Sequence, residues 1–416
     1  MRAMKDSGIA WVGDVPIQWE AKRNKYNFIL SKDIVGAKWR EMQLLSLTKY
    51  GIRMINDGEQ TGTVPTSFST YQKVSKDDIV MCLFDLDCSA VFSGRSGHNG
   101  MISPAYKCFK CEKHLYPQYA DYYFRTVFVD RKYMRYSKNV RYSLSAEEFL
   151  ALPILVPPMD EQKRIADFLD RECGKIDSII ADVEKQIELL KKYKRSVIFE
   201  AVTKGLEPSV QMKDSGIKWI GNIPCNWNVD KIKYHLRRNE KRNPGNQQVL
   251  SVYREYGVIP KDSRDDNHNV TSEDVSKYKY VRPGSLVINK MKAWQGSLAV
   301  SDYEGIVSPA YFIFEFMGHA FINKYLHYLL RGAYKDEFRR ISGGIREGQW
   351  DLSPDEFMNT LVTIPPVKEQ EKIISYIDKK CAEIDGVIAD KKEQLDVLEN
   401  YKKSVIYEYV TGKKEA

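Results

Sequence analysis

The sequence lacks the signatures of catalysis. It has no G-x-x-x-x-G-K-[ST] phosphate-binding loop, no H-E-x-x-H zinc motif, and neither the F-x-G-x-G nor the N-P-P-[YF] motif of an adenine methyltransferase. Its six histidines are scattered without the spacing of metal ligands. We therefore expect the isolated chain to have no enzymatic activity and to hold no metal or cofactor of its own.

Cysteine is also scarce. The seven cysteines are an odd number without a framework spacing, which is typical of a reducing compartment. Cys108 and Cys111 form a lone C-x-x-C, and a zinc site normally needs a second such pair or added histidines. The two cysteines align with Ile313 and Phe316 in a repeated segment, which favours apolar strand positions over the alternative of a metal site.

Long apolar runs are absent too. No stretch approaches ~18 uninterrupted apolar residues, and no signal-peptide layout is seen, so we expect a cytoplasmic protein without a membrane partner. The 416 residues leave room for two to three domains, and an apolar content of 43% indicates folded material. The net charge of +8 lies mostly in residues 1–150 and 212–363, which is compatible with binding nucleic acid.

The sequence does contain a long internal repeat. "MKDSGIAWVGDVPIQW" (residues 4–19) returns as "MKDSGIKWIGNIPCNW" (residues 212–227), and "LVPPMDEQKRI" (155–165) returns as "TIPPVKEQEKI" (363–373) in the same 208-residue register. Between these segments the similarity fades and the register slips, so that "SPAY" at Ser103 pairs with "SPAY" at Ser308. Shared ends indicate a common task, and unlike interiors indicate two related but different tasks.

Each repeat closes with a predicted long helix. After the "PP" pair, residues 160–202 contain no proline and a single glycine, and apolar residues recur at steps of three and four. About 40 helical residues form a rod of roughly 60 Å, which needs a partner to bury its apolar seam. The second helix is the obvious partner, and the alternative is a helix lying across its own domain. The predicted seam comprises Leu169, Ile176, Ile180, Val183, Ile187, Leu190 and Val197 in the first helix, and Ile377, Ile384, Ile388, Leu395, Leu398 and Val405 in the second.

The region of about 150 residues before each helix mixes strands and helices. "DDIVMCLF" and "GSLVINKM" are typical of strands, whereas "YPQYADYYFRTVFVDRKYMRY" and "AFINKYLHYLLRGAYKDEFRR" are typical of helices. The predicted fold class is α+β: two tandem α/β domains, each followed by a long helix, in a pseudo-twofold repeat.

With its duplicated "PP..EQ..I" helix starts, its two "SPAY" segments and "KMKAWQGS" from Lys290, the chain resembles the specificity subunits of type I restriction–modification systems. The resemblance covers essentially the whole sequence. It implies two target recognition domains, at residues 1–155 and 209–363, and two helical spacers, at 156–208 and 364–416, which pair as an antiparallel coiled coil. It further implies that the chain reads a bipartite, asymmetric target in double-stranded DNA.

The resemblance also implies partners. Two methyltransferase subunits would dock on the chain, and restriction–translocase subunits would join in the full complex. S-adenosylmethionine, ATP and Mg²⁺ would then be bound by those partner subunits.

Loops that differ between the two halves are the natural candidates for DNA contacts. Arginine and glutamine can bond bidentately to base edges, and lysine more often holds phosphates. For any one of these residues the alternative is a solvated loop side chain, and Trp294 is equally suited to packing. The candidates are Lys49, Tyr50, Arg53, Arg95, His98, Lys138, Asn139 and Arg141 in the first half, and Arg254, Tyr256, Lys290, Lys292, Gln295, Arg346 and Gln349 in the second.

Two other functions fit the same pattern. A stand-alone, duplicated DNA-binding regulator would need no enzyme partner. A coiled-coil scaffold would bind only protein, and salt-dependent binding to a random duplex would separate it from either DNA-binding protein.

Overall fold

The computed structural model describes residues 2–48, 51–56, 65–89, 92–129, 131–137, 142–245, 247–254, 256–263, 274–344 and 350–416. The chain divides into two compact units. The first unit consists of residues 1–184 and 392–416, and the second consists of residues 185–391. Each unit therefore combines one globular region with parts of both long helices.

The first unit holds twelve of the strands that the structure describes. They are Met4–Asp6 (β1), Asp14–Pro16 (β2), Glu20–Arg23 (β3), Phe28–Leu30 (β4), Leu45–Thr48 (β5), Gly51–Met54 (β6), Gln72–Val74 (β7), Ile79–Met81 (β8), Ser93–Arg95 (β9), Gly100–Ile102 (β10), Lys107–Cys111 (β11) and Pro153–Val156 (β12). The helices are Pro117–Val129 (α1), Ala146–Ala151 (α2) and the first part of Met159–Lys204 (α3), with 3-10 turns at Asn24–Tyr26, Gly36–Glu41 and Lys132–Tyr136.

A four-stranded antiparallel sheet of order β4-β11-β8-β9 is the centre of the first unit. Alternate residues of a strand face opposite sides of the sheet, and in this unit other elements cover both sides. One face packs on α1 and α2 through a cluster of phenylalanines, including Phe109 and Phe149 with ring centroids 4.8 Å apart. The other face packs on the β5–β6 hairpin and the β7–β10 ribbon, and Cys108 lies in that second cluster beside Val80.

The second unit repeats this set of elements. Its strands are Met212–Asp214 (β13), Asn222–Pro224 (β14), Asn228–Lys231 (β15), Leu236–Arg238 (β16), Leu250–Tyr253 (β17), Gly257–Pro260 (β18), Lys279–Val281 (β19), Leu286–Asn289 (β20), Leu298–Val300 (β21), Gly305–Val307 (β22), Tyr311–Phe316 (β23), Ser342–Gly343 (β24), Asp351–Leu352 (β25) and Leu361–Ile364 (β26). Its helices are Asn323–Ala333 (α4), Lys335–Arg340 (α5), Pro354–Asn359 (α6) and the first part of Val367–Val410 (α7), with 3-10 turns at Ile232–Tyr234, Lys261–Ser263 and Ala293–Gln295.

The sheet of the second unit has the matching order β16-β23-β20-β21. Its two faces pack on α4 to α6 and on the β17–β18 hairpin, respectively. Ile313 is buried in β23 at the place that Cys108 occupies in β11. This placement supports the interpretation of Cys108 as an apolar strand position.

Two helices that the sequence predicts as continuous are interrupted. After α1, Arg131 adopts a left-handed conformation with φ of 49°, and only a 3-10 turn follows. Between α4 and α5, Tyr334 leaves the helical conformation. Its ring is fully buried and its hydroxyl donates a hydrogen bond to the Leu361 carbonyl at 2.8 Å, so tertiary packing at this position overrides local helix preference.

The long helices α3 and α7 span 46 and 44 residues, and they pair in both units. In the first unit, Lys402 Nζ lies 2.5 Å from Asp177 Oδ1. In the second, Lys194 Nζ lies 2.6 Å from Asp385 Oδ2. The partners in α7 descend in number as those in α3 ascend, so the pairing is antiparallel. The predicted fold class and the antiparallel pairing of the long helices are thereby confirmed.

The repeated opening segments pack on the ends of the long helices. In the first unit, Lys413 Nζ donates to the Asp14 carbonyl at 2.5 Å, and a Cβ on Gly412 would collide with the ring of Pro16. In the second unit, Lys204 Nζ donates to the carbonyls of Ile220 at 2.8 Å and Asn222 at 2.6 Å. Each opening segment is therefore part of a shared framework that holds a helix end.

Within the described residues, no helix is both long enough and apolar enough to cross a bilayer.

Candidate DNA interface and helix surfaces

A buried glutamine fixes each globular region to the start of a long helix. Gln162 is fully buried, and its amide nitrogen donates to the carbonyls of His114 at 2.9 Å and Pro157 at 2.8 Å. Its side-chain oxygen accepts a hydrogen bond from the Tyr116 amide at 2.7 Å. Gln370 makes the equivalent set of three bonds in the second unit. The glutamine of the repeated "EQ" therefore forms a clamp made to backbone atoms.

Two tyrosines of α1 extend the clamp to both long helices. Tyr122 donates to Asp170 Oδ1 at 2.6 Å, and Tyr119 donates to the Val410 carbonyl at 3.3 Å. In the second unit, Tyr328 bonds to Asp378, and Tyr325 bonds to the Val202 carbonyl. Several hydrogen bonds therefore attach each globular region to the long helices of its unit.

The structure brings several second-half candidates together at the turn of the β17–β18 hairpin. Arg254 is exposed beside this turn and donates to the side-chain oxygen of Gln295, on a neighbouring 3-10 turn. Tyr256 is 55% exposed on the same hairpin, and Lys292 is exposed just before the 3-10 turn. The pair of an arginine and a glutamine presents donors and acceptors at one place, which suits contact with a base edge.

The candidate Lys290 and the nearby Trp294 are both held by protein contacts. Lys290 Nζ lies 2.9 Å from Asp351 Oδ2. Trp294 packs against Trp350 with ring centroids 5.7 Å apart, and the guanidinium of Arg339 lies 5.9 Å from each ring. Trp294 is therefore a packing residue. Lys290 must break its ion pair with Asp351 before it can bind DNA.

Fewer first-half candidates lie in the described residues. Arg53 is exposed on β6, and His98 is exposed after β9. Arg95 lies on β9, where Nη1 pairs with Asp77 Oδ1 at 2.5 Å. Lys49, Tyr50, Lys138, Asn139 and Arg141, together with Arg346 and Gln349 of the second half, lie outside the described residues.

The predicted helix seam is buried at nine of its thirteen positions. The other four positions are half-buried, and each lies between buried positions along its helix. The buried positions are Leu169, Ile176, Val183, Ile187, Val197, Ile377, Ile384, Ile388 and Val405, and the half-buried ones are Ile180, Leu190, Leu395 and Leu398.

A set of exposed apolar residues on the paired helices was missed by the sequence reasoning. Each unit contains three of them, and each member recurs 208 residues away in the other unit. In the second unit, two of the three come from α3 and one from α7, and together they line an open groove. We call these sets the exposed apolar triads: Ile179, Val397 and Tyr401 in the first unit, and Val387, Leu189 and Tyr193 in the second. Their recurrence at the repeat spacing was a signal in the sequence.

No titratable cluster resembles a catalytic or metal centre in the part of the chain that the structure describes. No group of three or more histidine, cysteine and carboxylate side chains is placed to hold a metal ion. Burial raises the pKa of Cys108 and Cys111 to about 12, so both thiols are protonated at neutral pH and are poor nucleophiles and metal ligands.

Comparison with known proteins finds relatives among type I restriction enzyme specificity subunits. No protein-family model matches the chain. The MjaVIII specificity subunit, a type I restriction enzyme subunit of Methanocaldococcus jannaschii, is 25% identical over 285 residues, or 64% of this chain and 63% of that one. The type I restriction enzyme EcoKI specificity subunit of Escherichia coli is 23% identical over 372 residues, or 82% of this chain and 75% of that one. The chain thus spans about three fifths of the length of the first of these relatives.

Solved structures share the fold. A chain from a structure concerned with complex assembly and conformational transition of the type I restriction–modification system superimposes with a TM-score of 0.68 at 11% identity, over 96% of this chain and 99% of that one. The HsdS subunit from Thermoanaerobacter tengcongensis gives a TM-score of 0.50 at 12% identity, over 96% and 98% of the two chains. The resemblance predicted from the sequence is confirmed.

Proposed function

From its kinship in sequence and fold with the type I restriction enzyme specificity subunits, we propose that this chain is the DNA-recognition subunit of a type I restriction–modification complex. It reads a bipartite, asymmetric target, with one half-site for each globular region. The observation that carries the proposal is a shared framework with unlike loops. The clamp of Gln162 recurs bond for bond at Gln370, whereas the sequences that connect β5 to β6 and β17 to β18 differ in length and composition.

The chain docks two methyltransferase subunits under this proposal. The two exposed apolar triads support that number, because each unit offers the same surface once. Exposed Ile, Leu, Val and Tyr on a helix pair that already has a buried seam are typical of a protein–protein contact. Restriction–translocase subunits join in the full complex, and S-adenosylmethionine, ATP and Mg²⁺ are bound by the partner subunits.

The test is assembly followed by sequencing of methylation sites. The chain is mixed with its cognate methyltransferase, and we expect a complex of one chain with two methyltransferases on size exclusion. That complex should methylate a single split motif with two unlike halves. The chain without partners should leave DNA unmethylated and uncleaved in the presence of S-adenosylmethionine, ATP and Mg²⁺.

The alternatives give other results. A stand-alone regulator would bind a specific duplex but form no complex with the methyltransferase. A scaffold would show no salt-dependent binding to any duplex.

A further inference from the structure

The two units carry different charge arrangements at one equivalent place. The helices α1 and α4 correspond, since Tyr119 matches Tyr325 and Tyr122 matches Tyr328 in their bonds to the long helices. In this register Asp121 corresponds to His327, and Arg125 corresponds to Arg331. The same arginine is therefore present in both units, next to a carboxylate in one and an imidazole in the other.

In the first unit the arginine is neutralised. The buried carboxylate of Asp121 accepts a hydrogen bond from the Arg95 backbone amide at 3.0 Å and another from Arg125 Nη2 at 2.7 Å. One carboxylate thus caps the edge strand β9 and pairs with the guanidinium. The local charge of this group sums to zero.

In the second unit a side chain at the same place also accepts a hydrogen bond from the edge strand, but it is an imidazole and not a carboxylate. His327 Nδ1 accepts a hydrogen bond from the Val300 backbone amide, on the edge strand β21, at 3.2 Å. Burial, together with the nearby charges of Arg331 and Lys324, lowers the pKa of His327 to about 3, so the imidazole is neutral at pH 7. Among the described residues, this group therefore retains one positive charge.

Arg331 is half-buried and carries that charge without an ion-pair partner among the described residues. Burial lowers its pKa from the usual value, but a guanidinium stays protonated at neutral pH. Its Nη1 lies 4.0 Å from the position that a Cβ would take on Gly257. Gly257 begins β18, directly after Tyr256, so Arg331 reaches the hairpin turn that carries the exposed Arg254.

A partly desolvated charge without a partner is unfavourable, and an anion that binds it relieves that cost. A DNA phosphate provides such an anion at a surface where Arg254, Tyr256 and Gln295 already present polar groups. We propose that Arg331 binds a phosphate of the DNA backbone beside the β17–β18 hairpin. The first unit has no matching contact, because Asp121 holds Arg125. The inference rests on the proposed DNA-recognition function and deepens it for the second half-site.

The experiment is equilibrium binding of the full chain, assembled with its methyltransferase, to duplexes over a salt series. Arg331→Gln should weaken binding about fivefold to tenfold on all sequences and lower the salt slope by about one. Arg331→Lys should retain the slope because it keeps the charge. The matched control Arg125→Gln should leave both affinity and slope unchanged, since Arg125 is already paired.

A second variant tests the same contact without replacing Arg331. His327→Asp supplies the carboxylate that the first unit has, so it should keep the cap on Val300 and reduce DNA binding as Arg331→Gln does. Unfolding curves establish that each variant is folded before binding is measured.

Each outcome decides a different point. Unchanged affinity and slope in folded Arg331→Gln and His327→Asp would overturn the inference while leaving DNA recognition intact. A loss confined to one base pair, with the slope unchanged, would also overturn it, because it would indicate a base contact. If the unmodified complex shows no salt-dependent binding, the proposed function itself fails.

Discussion

At the start of each long helix, a single buried glutamine holds three backbone groups of the neighbouring globular region. Replacing Gln162 by leucine keeps the bulk but leaves the Tyr116 amide and the carbonyls of His114 and Pro157 without this partner. Unpartnered buried groups cost roughly 1–3 kcal/mol each and three groups lose their partner, so we expect the free energy of unfolding to fall by at least about 3 kcal/mol. Urea unfolding measures it, with Gln394→Leu at an exposed position of α7 as the control. Equal stabilities of the two variants would show that the clamp contributes little.

His327 provides a second prediction for a single residue. Its pKa falls from 6.5 to about 3 in the folded chain, so the unfolded state takes up a proton first as the pH drops. The stability that the neutral imidazole provides is therefore complete above about pH 6.5 and is lost towards about pH 3. The slope is about 1.4 kcal/mol per pH unit where only the unfolded state is protonated.

The matching variant is His327→Asn, whose side-chain oxygen can accept from the Val300 amide and does not titrate. Between pH 6.5 and 4.5, we expect the unmodified chain to lose about 2–3 kcal/mol more stability than this variant. Thermal unfolding across that range measures the difference. Parallel pH profiles would mean that the imidazole is protonated in the folded state.

At the scale of elements, the paired helices carry one buried surface and one exposed apolar surface. One residue of α3 represents each surface. Val183 is 4% exposed in the seam, and Ile179, one turn earlier, is 46% exposed in the first triad. Val183→Asp should cost several kcal/mol, because its charge must be desolvated or must break the packing. Ile179→Asp should change stability by no more than about 0.5 kcal/mol.

Ile179→Asp also serves to test docking. Ile179→Asp combined with Val397→Asp should weaken binding of one methyltransferase at least tenfold while the second triad still binds the other. Titration followed by native mass spectrometry would then show a complex with one methyltransferase in place of two. Retention of both copies at wild-type affinity would exclude the first triad as a docking surface.

At the scale of the whole molecule, the two globular regions are expected to read DNA independently. The Gln162 clamp bonds to backbone atoms at His114, Tyr116 and Pro157, so a domain with other side chains can still fit the same helix. Replacing residues 1–155 by the equivalent region of a relative should therefore change the first half-site and leave the second intact. Sequencing of methylated sites measures the outcome. A change in both half-sites would refute the modular interpretation.

The sequence predicts the elements well where a periodic pattern repeats. The first long helix was expected over residues 160–202 and is observed at Met159–Lys204, and the strands predicted in "DDIVMCLF" and "GSLVINKM" are present as β8 and β20. Two independent copies of the same apolar spacing reinforce each other in such a prediction. The break at Tyr334 was not predictable, because its cause is a hydrogen bond to Leu361, 27 residues further along the chain.

The candidate interface was predictable only in part. Loop position and residue type identified Arg254 and Gln295, whose side chains are hydrogen-bonded to each other. They could not reveal that Arg95 forms an ion pair with Asp77, 18 residues earlier. Arg331 was missed because it lies within a helix, where a cation is usually solvated or paired. Its lack of a counter-charge among the described residues depends on which side chains the fold brings near it, and spacing alone does not determine that.

The division of the chain into units has a consequence for the order in which the protein folds during synthesis. The second unit is one uninterrupted stretch, residues 185–391, whereas the first unit combines residues 1–184 with residues 392–416. Domains fold once all of their residues have left the ribosome, and contacts distant in sequence form slowly. The contacts of Tyr407 with Trp11 and of Lys413 with Asp14 cannot form until residues 392–416 have been synthesised. The second unit can therefore be completed before the first, although its synthesis begins later.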